Sequence, residues 1–444
     1  MEITAGKEDG ASPTVSWKEL DDACISAIFS KLDARSLACV TQLDRRSRAV
    51  ASVDNLWRSP YAADFPYHFG QRRQSQGAPW KQWYEQRLAS ETNWQKGRLS
   101  GQADVLRAHS GPVFSTRFLG PPFPPDLALS GGVFGQNEAS ELVLWDLAER
   151  SQRVGRLGWR LAEDGMTNLC GVFDLRQVPG TRQVLCCGFG PEVNVGMLEP
   201  RQPCGCGDSE YGCSHLRVQL ETNLGLPGGN ARWPAARQGW ELRHTHTLVG
   251  HDAACPSVAC QSGGLAVTAS FDGTLRLWQI PAELGAGAAM ENSEPVVLSA
   301  AAVLRDPFSV KTWDLESGKV ALRLAGHEGW VWHVESLDDT HAVLLSGGTD
   351  SSIRMWDTRA GRQVQRVNIC TETLYPIAGM CLRPPDQRYV ICGVFDGSVR
   401  VVDMRQMRTL CHLEGHSDRV TRVSCNGDSI LSGSFDTQVN LWTF

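Results

Sequence analysis

The chain has 444 residues and a formal net charge of −6, long enough for two or three domains and too acidic for a general nucleic-acid or anionic-membrane binder. It has no apolar run of the roughly 18 residues a transmembrane helix needs, and Met1-Glu-Ile-Thr-Ala-Gly-Lys-Glu-Asp-Gly lacks the basic-then-apolar layout of a secretion signal. Fifteen cysteines, an odd number scattered through strand-like runs such as Val184-Leu-Cys-Cys187, suit buried free thiols in the cytosol or nucleus.

Residues 1–16 are polar and contain Gly, Ser and Pro, a composition expected to stay disordered. Helical spacing begins at residue 17. Ile25, Ile28, Phe29 and Leu32 form one apolar stripe, Asp21 or Asp22 is placed to cap that helix, and Asp33 to cap the next. Leu37, Val40 and Leu43 continue the spacing, Arg45 to Val53 suits a third helix, and Leu56-Trp57 follows. Arg45, Arg46 and Arg48 read as a solvated helix face. Residues 59–100 carry Trp80, Trp83, Tyr84 and Trp94 among polar residues, as in a further amphipathic helix that connects to the next domain.

From residue 101 the pattern changes to short alternating or β-branched runs punctuated by Gly, Asn and Asp. One unit recurs: Gly-His, then Ser or Thr, then Asp four residues on, then Trp six further. It appears as His251, Thr268, Asp272 and Trp278, as His327, Ser346, Asp350 and Trp356, and as His416, Ser432, Asp436 and Trp442. These four residue types can form a hydrogen-bonded chain from indole N–H to carboxylate, which fixes one geometry when every member is satisfied. A His/Ser/Asp set also suggests a hydrolase, but catalytic triads do not repeat along a chain, so no catalytic residue is assigned.

The repeat resembles the WD40 repeat. The helical segment, Trp17 to Leu20, Ile28 to Val40, Arg45 to Arg48 and Leu56-Trp57, resembles an F-box, although the family's Leu-Pro opening is Leu20-Asp21 here and the aromatic of its Val-Cys-Lys-x-Trp-like segment is missing. Together they resemble the F-box/WD-repeat proteins. The implied fold is a small all-α F-box at 17–58, a helical connector at 59–100 and an all-β WD40 propeller of seven nominal blades at 101–444, with an insertion at 199–240. The second unit keeps only strand periodicity. The fourth is 35 residues from Trp278 to Trp313, short of the usual 40–45 or so, and is expected to be incomplete. The strand-like Asp104 to Arg107 is expected to complete the last blade, whose own chain ends after three strands.

The resemblance implies a non-catalytic receptor subunit of an SCF-type ubiquitin ligase, in the cytoplasm or nucleus. The F-box would bind a Skp-family adaptor, and through it a cullin and a RING protein, by Leu20, Ile28, Leu32, Leu37 and Trp57; the propeller would bind a protein substrate. The alternative is a WD40 scaffold outside any ligase. No cofactor, nucleic acid or membrane partner is expected. Cys204, Cys206, Cys213 and His215 could hold zinc, but their spacing is not a standard knuckle and no metal site is assigned. For substrate binding, the residue before each turn Asp lies at the rim in WD repeats and is Phe271, Phe395 or Phe435, with Thr349 as the exception; Phe134 and Phe189 occupy the corresponding turns of the early blades. A second rim position holds Phe114, Trp332 and Thr421. Relatives that read phosphorylated segments carry Arg at several of these positions, so this aromatic rim is expected to take an apolar or aromatic segment without a required phosphate.

Overall fold

A computed structural model describes residues 20–65, 79–133, 140–147, 153–156, 171–200, 240–280, 296–298, 308–314, 319–337, 342–370, 373–384 and 387–444. The chain divides into two compact units, residues 1–100 with Phe444 and residues 101–443.

The first unit is helical: α1 (Asp22–Phe29), α2 (Ala34–Val40), α3 (Arg45–Ala51), α4 (Asp54–Asp64) and α5 (Trp80–Lys96). Three aspartates set the short helices. The carboxylates of Asp21, Asp33 and Asp44 accept from the backbone N–H of Cys24 (2.6 Å), Ser36 (2.7 Å) and Ser47 (2.7 Å), each satisfying a donor that the first turn leaves free. Gly97 ends α5 at φ 62°, a left-handed conformation that glycine adopts without a Cβ penalty. The apolar stripe packs inward as Ile25, Phe29, Ala34, Leu37, Val50, Ala51, Leu56 and Trp57, with Trp80 and Tyr84 of α5 against it.

Among its described residues the second unit contains six four-stranded antiparallel sheets and one two-stranded sheet. In chain order they are β2 (Val113–Phe118), β3 (Leu127–Val133), β4 (Ser140–Asp146) and β5 (Arg153–Arg156); β6 (Val172–Gln177), β7 (Gln183–Gly188), β8 (Val193–Pro200) and β9 (Trp240–Leu248); β10 (Ser257–Cys260), β11 (Leu265–Ala269), β12 (Leu275–Gln279) and β13 (Val296–Leu298). The two-stranded sheet is β14 (Ser309–Asp314) with β15 (Lys319–Ala325). Then come β16 (Val331–Ser336), β17 (Val343–Gly348), β18 (Ser352–Asp357) and β19 (Arg362–Asn368), and β20 (Ile377–Leu382), β21 (Tyr389–Val394), β22 (Ser398–Asp403) and β23 (Arg408–Glu414). The last sheet joins β24 (Val420–Cys425), β25 (Ser429–Ser434) and β26 (Val439–Thr443) to β1 (Asp104–Leu106) from the start of the unit. Asp104, Val105 and Leu106 pair with Leu441, Asn440 and Val439, so the two ends of the unit close on each other and cover an edge strand.

Seven nominal blades were expected, the fourth incomplete; six four-stranded blades are seen among the described residues, with a two-stranded sheet at the place of the fourth. Its strands correspond to the outer pair of a blade. Trp313-Asp314 ends β14 as Trp356-Asp357 ends β18, and β15 leads into Gly326-His327 as β23 leads into Gly415-His416. The short spacing between Trp278 and Trp313 leaves little chain for an inner pair. The first strands of the six full sheets neighbour one another in the order β10, β6, β2, β24, β20, β16, forming an arc around the central channel. Cys204, Cys206, Cys213 and His215 of the insertion, and Phe134, lie outside the described residues.

Candidate protein-interaction site

The repeated polar sets are assembled as hydrogen-bonded chains. In the sheet of β10 to β13, the Trp278 indole donates to Thr268 Oγ1 (2.8 Å), which meets His251 Nε2 (2.7 Å), and His251 Nδ1 meets Asp272 (2.7 Å). Trp356, Ser346, His327 and Asp350 repeat this at 2.7, 2.6 and 3.0 Å, and Trp442, Ser432, His416 and Asp436 at 2.9, 2.8 and 2.9 Å. Burial alone would raise the Asp272 carboxyl; donors from Thr274, His251 and the Asp252 backbone instead hold it well below the usual carboxylate range. The same balance, with His327 and the Glu328 backbone as donors, lowers Asp350. Each buried hydroxyl accepts from an indole and is matched to an imidazole nitrogen, so its proton and lone pairs are committed to the fold and not to an incoming carbonyl. His109, Ser130 and Trp145 make the same chain at 2.6 and 2.7 Å, in a unit whose sequence carries no tetrad Asp.

The rim is built by two backbone devices. First, the residue before each turn Asp sends its N–H to the segment entering the inner strand: Phe271 to Ala254 (3.0 Å), Thr349 to Trp330 (2.9 Å), Phe395 to Pro376 (3.0 Å) and Phe435 to Arg419 (3.1 Å). Second, five of the six inner strands carry a register shift at one common place, between Val113 and Ser115, Val172 and Asp174, Val331 and His333, Ile377 and Gly379, and Val420 and Arg422. The skipped residues are Phe114, Phe173, Trp332, Ala378 and Thr421. A bulge bends the strand and re-aims the extra side chain, and here three of the five are aromatic.

These residues meet in an arc. Trp332 lies edge-on to Phe395 (5.1 Å between centroids). The Arg419 guanidinium sits over both Phe395 (5.4 Å) and Phe435 (5.6 Å). Phe435 lies edge-on to Phe114 (5.3 Å), and Phe114 to Phe173 (5.0 Å) and Phe189 (6.2 Å). Trp332 and Phe189 are each 47% exposed, and Phe114, Phe395 and Phe435 are half-buried. Phe271 is 60% exposed and joins no aromatic pair among the described residues, so it stands apart from the arc. Phe173 and Arg419 were not singled out from the sequence. Val172-Phe173-Asp174 does parallel Val113-Phe114-Ser115 and Val331-Trp332-His333, but its unit has no Gly-His to set the register.

One residue beyond the bulges lies a charged layer. Arg422 donates from Nη1 to His333 Nδ1 (2.9 Å) and its Nη2 lies 3.6 Å from Asp174; Arg176 Nε lies 3.8 Å from Asp174 and donates to the Val258 carbonyl (3.1 Å). His333 Nε2 meets Glu335 at 3.2 Å. Gly379 lets Arg422 lie close to the neighbouring inner strand, since a Cβ there would come within 2.9 Å of the Arg422 Cα.

In the helical unit, Leu37 (0% exposed) and Trp57 (2%) are core residues, the latter with its indole bonded to the Ala51 carbonyl (2.8 Å). They act through packing and do not present a surface. Leu20, Ile28 and Leu32 are half-buried at the edge of that core, while Leu43 (63%) and Val53 (47%) are exposed nearby. Among the described residues there is no group of His, Cys, Asp and Glu that could hold a metal ion, and no helix long and apolar enough to cross a membrane. The described cysteines are free, and burial pushes the thiols of Cys255 and Cys260 up to about 11.

The WD domain, G-beta repeat family matches residues 242–279, 318–357 and 407–443. Each matched stretch takes in the last strand of one sheet and the three strands that follow, the second starting with β15 of the two-stranded sheet. The chain is 26% identical to the DENN domain and WD repeat-containing protein SCD1 of Arabidopsis thaliana over 206 residues, 44% of this chain and 17% of that protein. It is 31% identical to Autophagy-related protein 16 of Arabidopsis thaliana over 135 residues, 29% of this chain and 25% of the relative. With the human THO complex subunit 6 the identity is 29% over 139 residues, 30% of this chain and 39% of the relative. The chain thus spans well under half the length of these relatives. Recurrent tetrads, strand order and family match together identify the second unit as a β-propeller built on WD40 repeats.

Proposed function

We propose that this protein is a non-catalytic protein-binding scaffold that captures a partner segment bearing an apolar or aromatic side chain on the arc Trp332–Phe395–Phe435–Phe114–Phe173, without a required phosphate. The carrying observation is the chain of ring contacts held open to solvent at the bulged inner strands. Buried sets of aromatic and Arg side chains are the usual anchors of protein interfaces. The breadth of the WD-repeat relatives, named for autophagy and for the THO complex, agrees with a scaffold. The test is affinity capture with wild type and with a Phe395→Ala/Phe435→Ala variant of unchanged fold. The variant should lose its partners; a full set of partners, or partners released by phosphatase, overturns the reading.

A second reading rests on the first unit. Its half-buried Leu20, Ile28 and Leu32 and exposed Leu43 and Val53 form an apolar margin suited to a Skp-family adaptor, which would make the scaffold a substrate receptor of an SCF-type ligase, in cytosol or nucleus. A pull-down of the adaptor that is lost on deleting residues 17–58, or in a folded Leu20→Ala/Leu32→Ala variant, supports it; adaptor binding absent from the full chain removes it.

A further inference from the structure

The charged layer under the aromatic arc is out of balance. Arg422 can only donate, so His333 Nδ1 carries no proton and the imidazole is the neutral tautomer whose Nε2–H donates to Glu335. Among the described residues that leaves three guanidiniums, Arg117, Arg176 and Arg422, facing two carboxylates, Asp174 and Glu335. Asp174 is already engaged: Oδ1 accepts from the Leu175 backbone (3.0 Å) and faces Arg422, while Oδ2 faces Arg176 and the Val258 backbone N–H (3.4 Å).

Arg117 has no such partner. It lies on the first strand of its sheet, three residues past Phe114 and so about 10 Å further down the channel. Among the described residues its guanidinium makes no hydrogen bond and no ion pair, and its Nε is buried without an acceptor. Burial, and the neighbouring Arg176, lower its pKa to about 10, which still leaves it charged at neutral pH. Nor do the terminal nitrogens of Arg176 have a partner among the described residues, and Arg422 Nε is likewise buried and unbonded. Arg117, Arg176 and Arg422 are half-buried; an unpaired guanidinium in that position is costly to a fold, and its planar fork matches an oxyanion in shape and charge. The depth below the rim favours a small ligand over a folded one.

We propose that the central channel of the propeller binds a small multivalent oxyanion of the phosphate type, held by Arg117 with Arg176 and Arg422 beside it. This site is separate from the aromatic arc and does not depend on what the arc captures. The probe is inorganic phosphate, titrated into the full-length protein at constant ionic strength made up with sodium chloride and followed by calorimetry and thermal unfolding. Phosphate stabilises proteins weakly by exclusion from their surface, so the comparison with Arg117→Gln is decisive. Wild type should give saturable binding and a saturable rise in melting temperature, and R117Q at least tenfold weaker binding. Without phosphate R117Q should melt at or above wild type, because it removes an uncompensated charge. A non-saturable response, an equal response in R117Q, or an R117Q protein that melts below wild type without phosphate overturns the proposal. Arg117→Lys, which keeps the charge and loses the fork, is the second check: a severalfold weaker affinity supports the site and an unchanged affinity overturns it.

Discussion

His333 is neutral because its two neighbours leave it no choice: Arg422 donates to one nitrogen and Glu335 accepts from the other. Burial, helped by the charges of Arg422 and Arg176, outweighs the Glu335 hydrogen bond and leaves its pKa below the ordinary value of 6.5. The sign of the linkage follows. Above pH 6.5 both folded and unfolded chains hold a neutral imidazole; as pH falls below it the unfolded chain takes up the proton first, so stability declines until the folded pKa is passed. Urea unfolding at pH 7.5 and 5.5 should therefore show a loss that is smaller in a His333→Gln variant. His251, also lowered by burial, will account for part of the remainder. For the hydrogen-bonded chains, Thr268→Ala leaves the Trp278 indole and His251 Nε2 without their shared partner and should cost about 1–3 kcal/mol in denaturant unfolding. On the rim, Phe435→Ala removes a half-buried ring that touches Phe114 and Arg419; stability should change by about 1 kcal/mol while partner affinity falls at least tenfold.

At the scale of elements, ring closure depends on a three-residue strand. Leu106 is 4% exposed and packs with Val113, Leu431, Val439 and Leu441, residues from the two ends of the unit. Leu106→Ala should cost about 2–5 kcal/mol, more than its short strand suggests, because it loosens both the apolar contact and the β1–β26 pairing. A melting temperature within a degree of wild type would show that the unit stays closed without this strand. The short helices follow a different logic. Asp21 and Asp33 were readable as caps or cap neighbours from their place before apolar spacing, since an N-cap is a local interaction that needs no tertiary partner; the structure adds Asp44. The five common bulges were not readable. A register shift depends on how two strands pair, and single sequences carry only the side chains that result from it.

At the scale of the molecule, the helical and propeller units are expected to be separable in function: deleting residues 17–58 should spare partners of the aromatic arc, and Phe395→Ala/Phe435→Ala should spare any adaptor, as two pull-downs will show. The sequence alone determined the change from helical to strand spacing near residue 100, the repeat, its tetrad residues and the pairing of Asp104–Leu106 with the last blade, because each is written in spacing along the chain. It also placed Phe114, Trp332, Phe395 and Phe435 on one rim. Tertiary structure decided the rest. It left Phe271 outside the arc, added Phe173 and Arg419 to it, put Leu37 and Trp57 inside a core, and reduced the fourth blade to two strands among the described residues. The charged layer was beyond reach of any repeat pattern. Arg117, Asp174, His333 and Arg422 come from four different units, and only when the inner strands stand side by side do their charges become neighbours, with one guanidinium left over among the described residues.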